Sequence, residues 1–296
     1  MSCRRRVFAS LAVVALGTAV VRAAQSVPRA TSPESAPAAE RSPAWRAALL
    51  ADLDALRRRC GIPGLSVALL QQGEITLAEG LGVRRAGDEP IVDRDTLFQA
   101  GSISKSVAAL GALRLVEQRK LFLDGDVNQV LTTWKLPSSA FTSTKPVTLR
   151  RLLSHTAGLT VHGFPGYAPD ARMPTLVQVL DGSPPANTAP IRVQAEPGAR
   201  WQYSGGGYTV MQQMMIDVTL EPFPDFMRRA VLAPIGMTSS TFEQPLPAAL
   251  VALTASGHGA EQAPVQGRWH IYPEMAAAGL WTTPTDLARF AIEVQR

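Results

Sequence analysis

A chain of 296 residues with 46% hydrophobic and 18% charged side chains has a globular composition, large enough to bury a substantial core as one domain or two subdomains, and this excludes overall disorder and collagen-like repeats. The formal charge of +5 at pH 7 sits largely at the front: Arg4, Arg5, Arg6 and Arg22 fall in the first 24 residues with no acid among them, which leaves about +1 for the rest. A nucleic-acid partner is therefore not expected.

Taken in chain order, residues 1–24 read as an export signal, with basic Arg4–Arg6, an apolar run from Val7 to Val21 and small residues at Ala23 and Ala24 for cleavage. The run is shorter than the roughly 20 apolar residues a membrane span needs, so a removed signal with no stable membrane anchor, and a periplasmic or secreted product, is the expectation. Arg5-Arg6-Val7-Phe8 also resembles a twin-arginine signal, so the export route stays open. Cys3 precedes the apolar run, where a lipid-modified cysteine cannot lie. Cys60 alone is left after cleavage, so no intramolecular disulfide is expected. Residues 25–43, rich in Ala, Pro and Ser, read as a flexible spacer ahead of a domain over 44–296.

Ser42-Pro43 opens an amphipathic helix over about 43–60, with Leu49, Leu53, Leu56 and Cys60 on one face and Gly61 and Pro63 as stops. Gly64–Leu70 and Ile75–Val83 form a hairpin around Gln71-Gln72-Gly73-Glu74. Ser102–Arg119 is strongly helical, Thr148 caps a short helix through Ser154, and Tyr208–Val218 and Pro224–Leu232 are further helices. Pro, Gly and Ser fill the stretch 160–200, and Thr283-Pro284-Thr285-Asp286 opens a last helix with a capping-box pattern. The pattern is α+β: a hairpin against a mostly helical middle.

Several reaction classes fall on what is missing. The sequence has no Gly-x-Ser-x-Gly elbow (Gly64-Leu65-Ser66-Val67-Ala68 misses at its last residue), no phosphate loop and no His-Glu-x-x-His helix. His155, His162, His258 and His270 lack metal-ligand spacing and read as structural or surface groups, so no metal or cofactor is expected.

What remains is Ser102-Ile103-Ser104-Lys105. A serine and a lysine three apart share a helix face, so the amine can reach the hydroxyl. A lysine is a useful base only when neutral, and Lys105 is the sole charged residue between Leu97 and Leu113, at the positive end of a helix, where burial and the helix dipole both disfavour its cation. The bland reading, with Lys105 reaching solvent and Ser102 as a mere N-cap, stands beside it. Downstream, Glu196-Pro197-Gly198 leads to Trp201, Tyr203 and Gly205–Gly207, glycines that let another backbone or a ligand come close. Tyr203 could be a packed aromatic, or its phenol could share a proton with Lys105.

With these stretches in view, the chain resembles the serine β-lactamase-like hydrolases of the class C β-lactamase, DD-peptidase and esterase group. The matching segments, in the family's order, are Phe98–Lys105, Leu152–Leu159 around His155, Pro197-Gly198 with Trp201–Gly205, Pro234–Thr238 and Ala278–Leu287. The resemblance implies a β-lactamase/transpeptidase-like fold, an antiparallel sheet flanked by helices plus a helical subdomain. It also implies Ser102 as the acylated nucleophile, Lys105 as its base partner, Tyr203 as the second proton-transfer group and His155 as a structural residue. A small-molecule or peptidoglycan-like substrate follows: a β-lactam, ester, or D-amino-acid peptide or amide carbonyl.

Two departures bear on this. Gly205 stands where the family commonly has an asparagine that holds the substrate's acylamide, which tilts the expectation from β-lactams towards esters or peptides. The family's third motif, a Lys or His followed by a small residue and glycine on a strand facing the serine, is not found, and no lysine follows Lys145. A C-terminally truncated chain with an incomplete sheet is the corresponding expectation, and losing one oxyanion donor with that strand lowers rates about 100- to 1,000-fold. A catalytically impaired or non-catalytic binding protein of the same fold is the alternative.

Overall fold

Pro43 opens the first element of the computed structural model, which describes residues 43–296 apart from Glu89 and Thr144. The expected leader over 1–24 and nearly all of the spacer over 25–43 lie outside the described residues. Helix α1 (Pro43–Arg59) ends where Gly61 takes a φ of +66°, and Arg57 closes its last turn by donating to the carbonyls of Ile62 and Pro63 at 2.9 and 3.0 Å. The expected apolar stripe does not enter the core. No residue of α1 is fully buried, and Leu56 is 45% exposed. Polar links such as Arg46 to Glu79 tie the helix to the hairpin instead.

Strands β1 (Gly64–Gln71) and β2 (Glu74–Gly82) pair antiparallel in the expected hairpin, with Ala68 opposite Ala78. Gln72 and Gly73 both have positive φ, 51° and 79°, which matches the twist of a two-residue hairpin turn. A second short pair joins β3 (Phe98–Gln99) to β4 (Trp281–Thr282), Phe98 opposite Thr282 and Gln99 opposite Trp281. The Ala100 N–H donates to the Leu280 carbonyl at 2.9 Å, which draws the chain just after β3 against the segment before β4.

Gly101–Ile103 is a single 3-10 turn, and α2 (Ser104–Glu117) follows, so Ser102 precedes the long helix rather than beginning it. Thr148 caps α4 (Leu149–Leu153) as expected, its Oγ1 accepting from the Arg151 N–H. Three short helices have no counterpart in the sequence expectations: α3 (Val127–Val130), capped by Asp126, α5 (Leu176–Asp181), with a complete Thr175/Gln178 capping box inside a stretch otherwise rich in Pro, Gly and Ser, and the helix at Met275–Ala278.

Helix α6 (Gly205–Thr219) starts three residues before the expected Tyr208, because the Ser204 hydroxyl caps it on the Gly207 N–H at 3.0 Å and outweighs three poor helix formers. Helix α7 (Phe223–Met227) runs into a π-helical turn at Arg228–Leu232 where a continuous α-helix was expected. After the short α8 (Met275–Ala278), helix α9 (Pro284–Gln295) forms the last element.

The core lies between α2, α6 and α7. Val107, Ala108, Ala112 and Leu115 of α2 meet Val210, Met211, Met214 and Met215 of α6, with Phe223, Phe226 and Met227 closing the cluster. A Cβ on Gly111 would sit 2.5 Å from the Met227 sulfur, so glycine lets α2 approach that side chain. None of the described helices is long and apolar enough to cross a membrane.

The capping box expected at α9 forms by half. Thr283 Oγ1 accepts from the Asp286 N–H at 3.2 Å, but the Asp286 carboxylate turns away, accepting from the Ser239 N–H at 2.9 Å, the Ser240 hydroxyl at 2.8 Å and Arg289 at 2.8 Å. It is 1% exposed, so it ties Ser239 and Ser240 to α9 from inside. Asp286→Ala removes a partner of the buried Ser240 hydroxyl and unties the Ser239 N–H and Arg289, and urea denaturation should read a loss of about 1–3 kcal/mol.

Candidate active site

Gly101 adopts a φ of +51° with open space where a Cβ would be, so backbone conformation rather than room calls for glycine there. That turn leaves Ser102 exposed while the next residues sink into the core. Ser104 is fully buried and pins the turn: its hydroxyl donates to the Gly101 carbonyl at 2.5 Å and accepts from the Leu280 N–H at 2.9 Å.

One helical turn after Ser102, Lys105 is 6% exposed. Its Nζ donates to Ser102 Oγ at 3.1 Å and to the Ala277 carbonyl of α8 at 2.7 Å. It also lies 5.0 Å from the centre of the Tyr203 ring and 5.8 Å from that of Tyr208. Burial pulls the amine below its ordinary value of 10.5, and interaction with Tyr203 offsets part of this. The shift is in the direction a base needs, since it makes the neutral amine more accessible than in an ordinary lysine.

Tyr203 reaches the same serine from the far side of the sequence, its phenol donating to Ser102 Oγ at 2.8 Å. Its position is set by its neighbours. Ser204 caps α6 and donates to the Thr160 carbonyl at 2.9 Å, and His162 Nδ1 lies 2.5 Å from the Tyr203 carbonyl. All three expected site residues are therefore brought together on one hydroxyl.

The glycines after Tyr203 admit a backbone rather than a ligand. The N–H groups of Gly205 and Gly206 donate to the carbonyls of His162 and Val161 at 3.3 and 3.0 Å. A Cβ on Gly205 would sit 2.9 Å from the Phe164 ring, and one on Gly206 would sit 2.8 Å from the Thr160 carbonyl oxygen. Residue 205 has no space for a longer side chain while Phe164 lies there.

His155, expected to be structural, packs against the site. Its ring lies 4.4 Å from Tyr203 and 5.3 Å from Tyr208, and the Ser204 N–H donates to Nδ1 at 3.2 Å, which puts the neutral ring's proton on Nε2. Burial, then the charge of Lys105, holds it below its ordinary value. The backbone of this motif joins that of the tyrosine motif: the Gln202 N–H donates to the His155 carbonyl at 2.8 Å and the Gly198 N–H to that of Thr156 at 2.7 Å. Trp201 stands at the rim, 66% exposed, 6.1 Å from His155. Among the described residues, no three His, Cys, Asp or Glu side chains converge in a way that could hold a metal ion.

Sequence reasoning missed two contributors, Ser104 as the clamp on the serine turn and the Ala277 carbonyl as the second acceptor for Lys105. A backbone carbonyl leaves no trace in residue type, but Ser104, a polar residue inside an apolar helix, carried a readable signal.

The protein family described as Beta-lactamase matches residues 47–296. Among curated proteins, Penicillin-binding protein 4 of Amycolatopsis lactamdurans is 29% identical over 251 residues, covering 80% of this chain and 61% of that protein. Esterase EstB of Burkholderia gladioli is 32% identical over 209 residues, covering 66% of this chain and 52% of that one. The chain thus spans roughly half to three fifths of the length of these relatives. Among solved structures, D-amino acid amidase from Ochrobactrum anthropi superposes with a TM-score of 0.68 at 26% identity, covering 83% of this chain and 68% of the other.

Proposed function

The chain belongs to the Beta-lactamase family of serine hydrolases, and from that premise we propose that it acts through an acyl-Ser102 intermediate on an ester or on a D-amino-acid peptide or amide carbonyl, with Lys105 and Tyr203 as its proton-transfer groups. The observation that carries this reading is the single hydroxyl of Ser102 held 3.1 Å from a buried amine and 2.8 Å from a phenol.

Ser102 Oγ attacks the carbonyl carbon while its proton passes to the Lys105 amine, and a tetrahedral adduct forms. The adduct collapses by breaking the bond to the leaving group, which takes a proton through Tyr203 or Lys105. Water then attacks the acyl-serine, loses its proton to the same pair and returns the hydroxyl to Ser102. The carbonyl of Ala277 fixes the amine so that its position does not depend on solvent. Because burial lowers the Lys105 amine below 10.5, the rising limb of the acylation rate should lie below that pH.

Gly205 supports an ester or a D-amino-acid amide, which carry no acylamide, over a β-lactam, since Phe164 takes the space a substrate-holding side chain would need at that position. Export to the periplasm or beyond belongs to the same proposal, on Arg4–Arg6, the apolar run Val7–Val21 and Ala23-Ala24.

A panel of a p-nitrophenyl short-chain ester, a D-alanine amide and a chromogenic cephalosporin tests the reading. The ester or the amide should turn over faster than the cephalosporin, and Tyr203→Phe should lower kcat/KM by about 100- to 10,000-fold. Full activity in Tyr203→Phe would overturn the role given to the phenol.

A further inference from the structure

Glu274 is fully buried, and neither carboxyl oxygen has a hydrogen-bond partner among the described residues. Orphaned buried carboxyl groups are rare and costly, and this one stands at the head of α8. Its backbone carbonyl accepts from the N–H groups of Ala277 and Ala278, both at 3.0 Å. The Ala277 carbonyl in turn accepts the Lys105 amine at 2.7 Å. Gln212 of α6 grips the peptide on both sides of Glu274, donating to the Pro273 carbonyl at 3.0 Å and accepting from the Ala276 N–H at 2.9 Å. The acid is therefore built into the turn that holds the Lys105 amine.

We propose that Glu274 is a positioning residue for Lys105: as the neutral acid it seats the α8 turn so that Ala277 holds the amine, and its ionisation unseats that turn. The proposal rests on Lys105 being the base in the reading above. Burial pushes the Glu274 acid from 4.5 up to about 7. The titratable groups that feel its charge are Tyr167 and Tyr272, both raised chiefly by burial and further by Glu274. Helix α6 presents neutral Gln212, and α2 presents Lys105 at Ala277.

The sign follows from the raised acid. Below about pH 4.5 folded and unfolded chains both keep the proton, and nothing changes. Between 4.5 and about 7 the unfolded chain has released a proton that the folded chain retains, so stability falls as pH rises. Above about 7 the folded chain carries a buried, unpartnered anion unless the turn opens. Opening admits water to Lys105, which returns the amine towards its charged form.

Competitive acetylation of Lys105 with acetic anhydride, read by peptide mass spectrometry across about pH 5.5 to 9.5, tests this on the Ser102→Ala chain, where no acyl-serine forms. With Glu274 present, the Lys105 profile should carry an inflection near pH 7. With Glu274→Gln that inflection disappears, and labelling at about pH 8 is about tenfold higher, one pKa unit. Glu274→Met, apolar and of similar length, should behave as Gln does. Superimposable profiles with and without Glu274, or no inflection between about pH 6 and 8 in the chain that keeps it, would overturn the proposal. The readout is the Lys105 amine itself, so it does not depend on turnover at Ser102.

Discussion

Lys105→Met is expected to slow acylation of Ser102 by at least about 1,000-fold while leaving the chain folded. Methionine keeps the length and apolar stem of the side chain, so packing between α2 and α6 survives. What disappears is the amine to which the proposed mechanism gives the serine proton. The cost of burying that amine disappears with it, since a group 6% exposed and held away from its charged form is a strain on the folded state. Against this stands the Ala277 carbonyl, which loses its donor at a cost of about 1–3 kcal/mol. Stopped-flow acylation by an activated ester gives the rate, and thermal unfolding gives the stability. A rate within tenfold of the parent would take the base role from Lys105.

Ser102→Ala has the second large effect, and its character differs. Ser102 is exposed, but its Oγ accepts from the buried Lys105 amine and the Tyr203 phenol, so unfolding should change by no more than about 1.5 kcal/mol. Hydrolysis of the best substrate should fall by at least about 1,000-fold, to the background left by binding and polarisation alone. Tyr203 and Lys105 would still face each other across the vacated acceptor. Residual turnover near the parent's level would mean that water is the attacking group, and the acyl-serine pathway would fail.

Much of this site could be read before any coordinates. The spacing of Ser102 and Lys105 predicts a shared helical face, and the absence of other charges between Leu97 and Leu113 predicts the burial of the amine. Tyr203 lies 101 positions from Ser102; the residues alone leave a packed aromatic and a proton-sharing phenol both open, and family resemblance selects the second, since periodicity says nothing about contacts at that separation. The glycines after it were read as a place of close approach, but what approaches, the 160–164 backbone, is a tertiary fact.

The misreadings have physical causes. An amphipathic stripe in α1 reports a capacity to bury, not what is present to cover it, and Leu56 remains at the surface. The Thr175 capping box was hidden by the Pro, Gly and Ser around it, although Thr175 and Gln178 are the residues the motif requires. Glu274 was passed over because an acid beside proline reads as a loop, and only packing by α6 and α8 makes it a buried group.

The central claim, that Ser102, Lys105 and Tyr203 assemble a working nucleophile, is tested most directly by the intact mass of the protein after incubation with an activated short-chain ester and, separately, with a penicillin. The account predicts a single acyl adduct on the parent chain, absent from Ser102→Ala, with the ester as the better reagent. A folded parent chain that gains no adduct from either reagent, or an adduct that persists in Ser102→Ala, would contradict it.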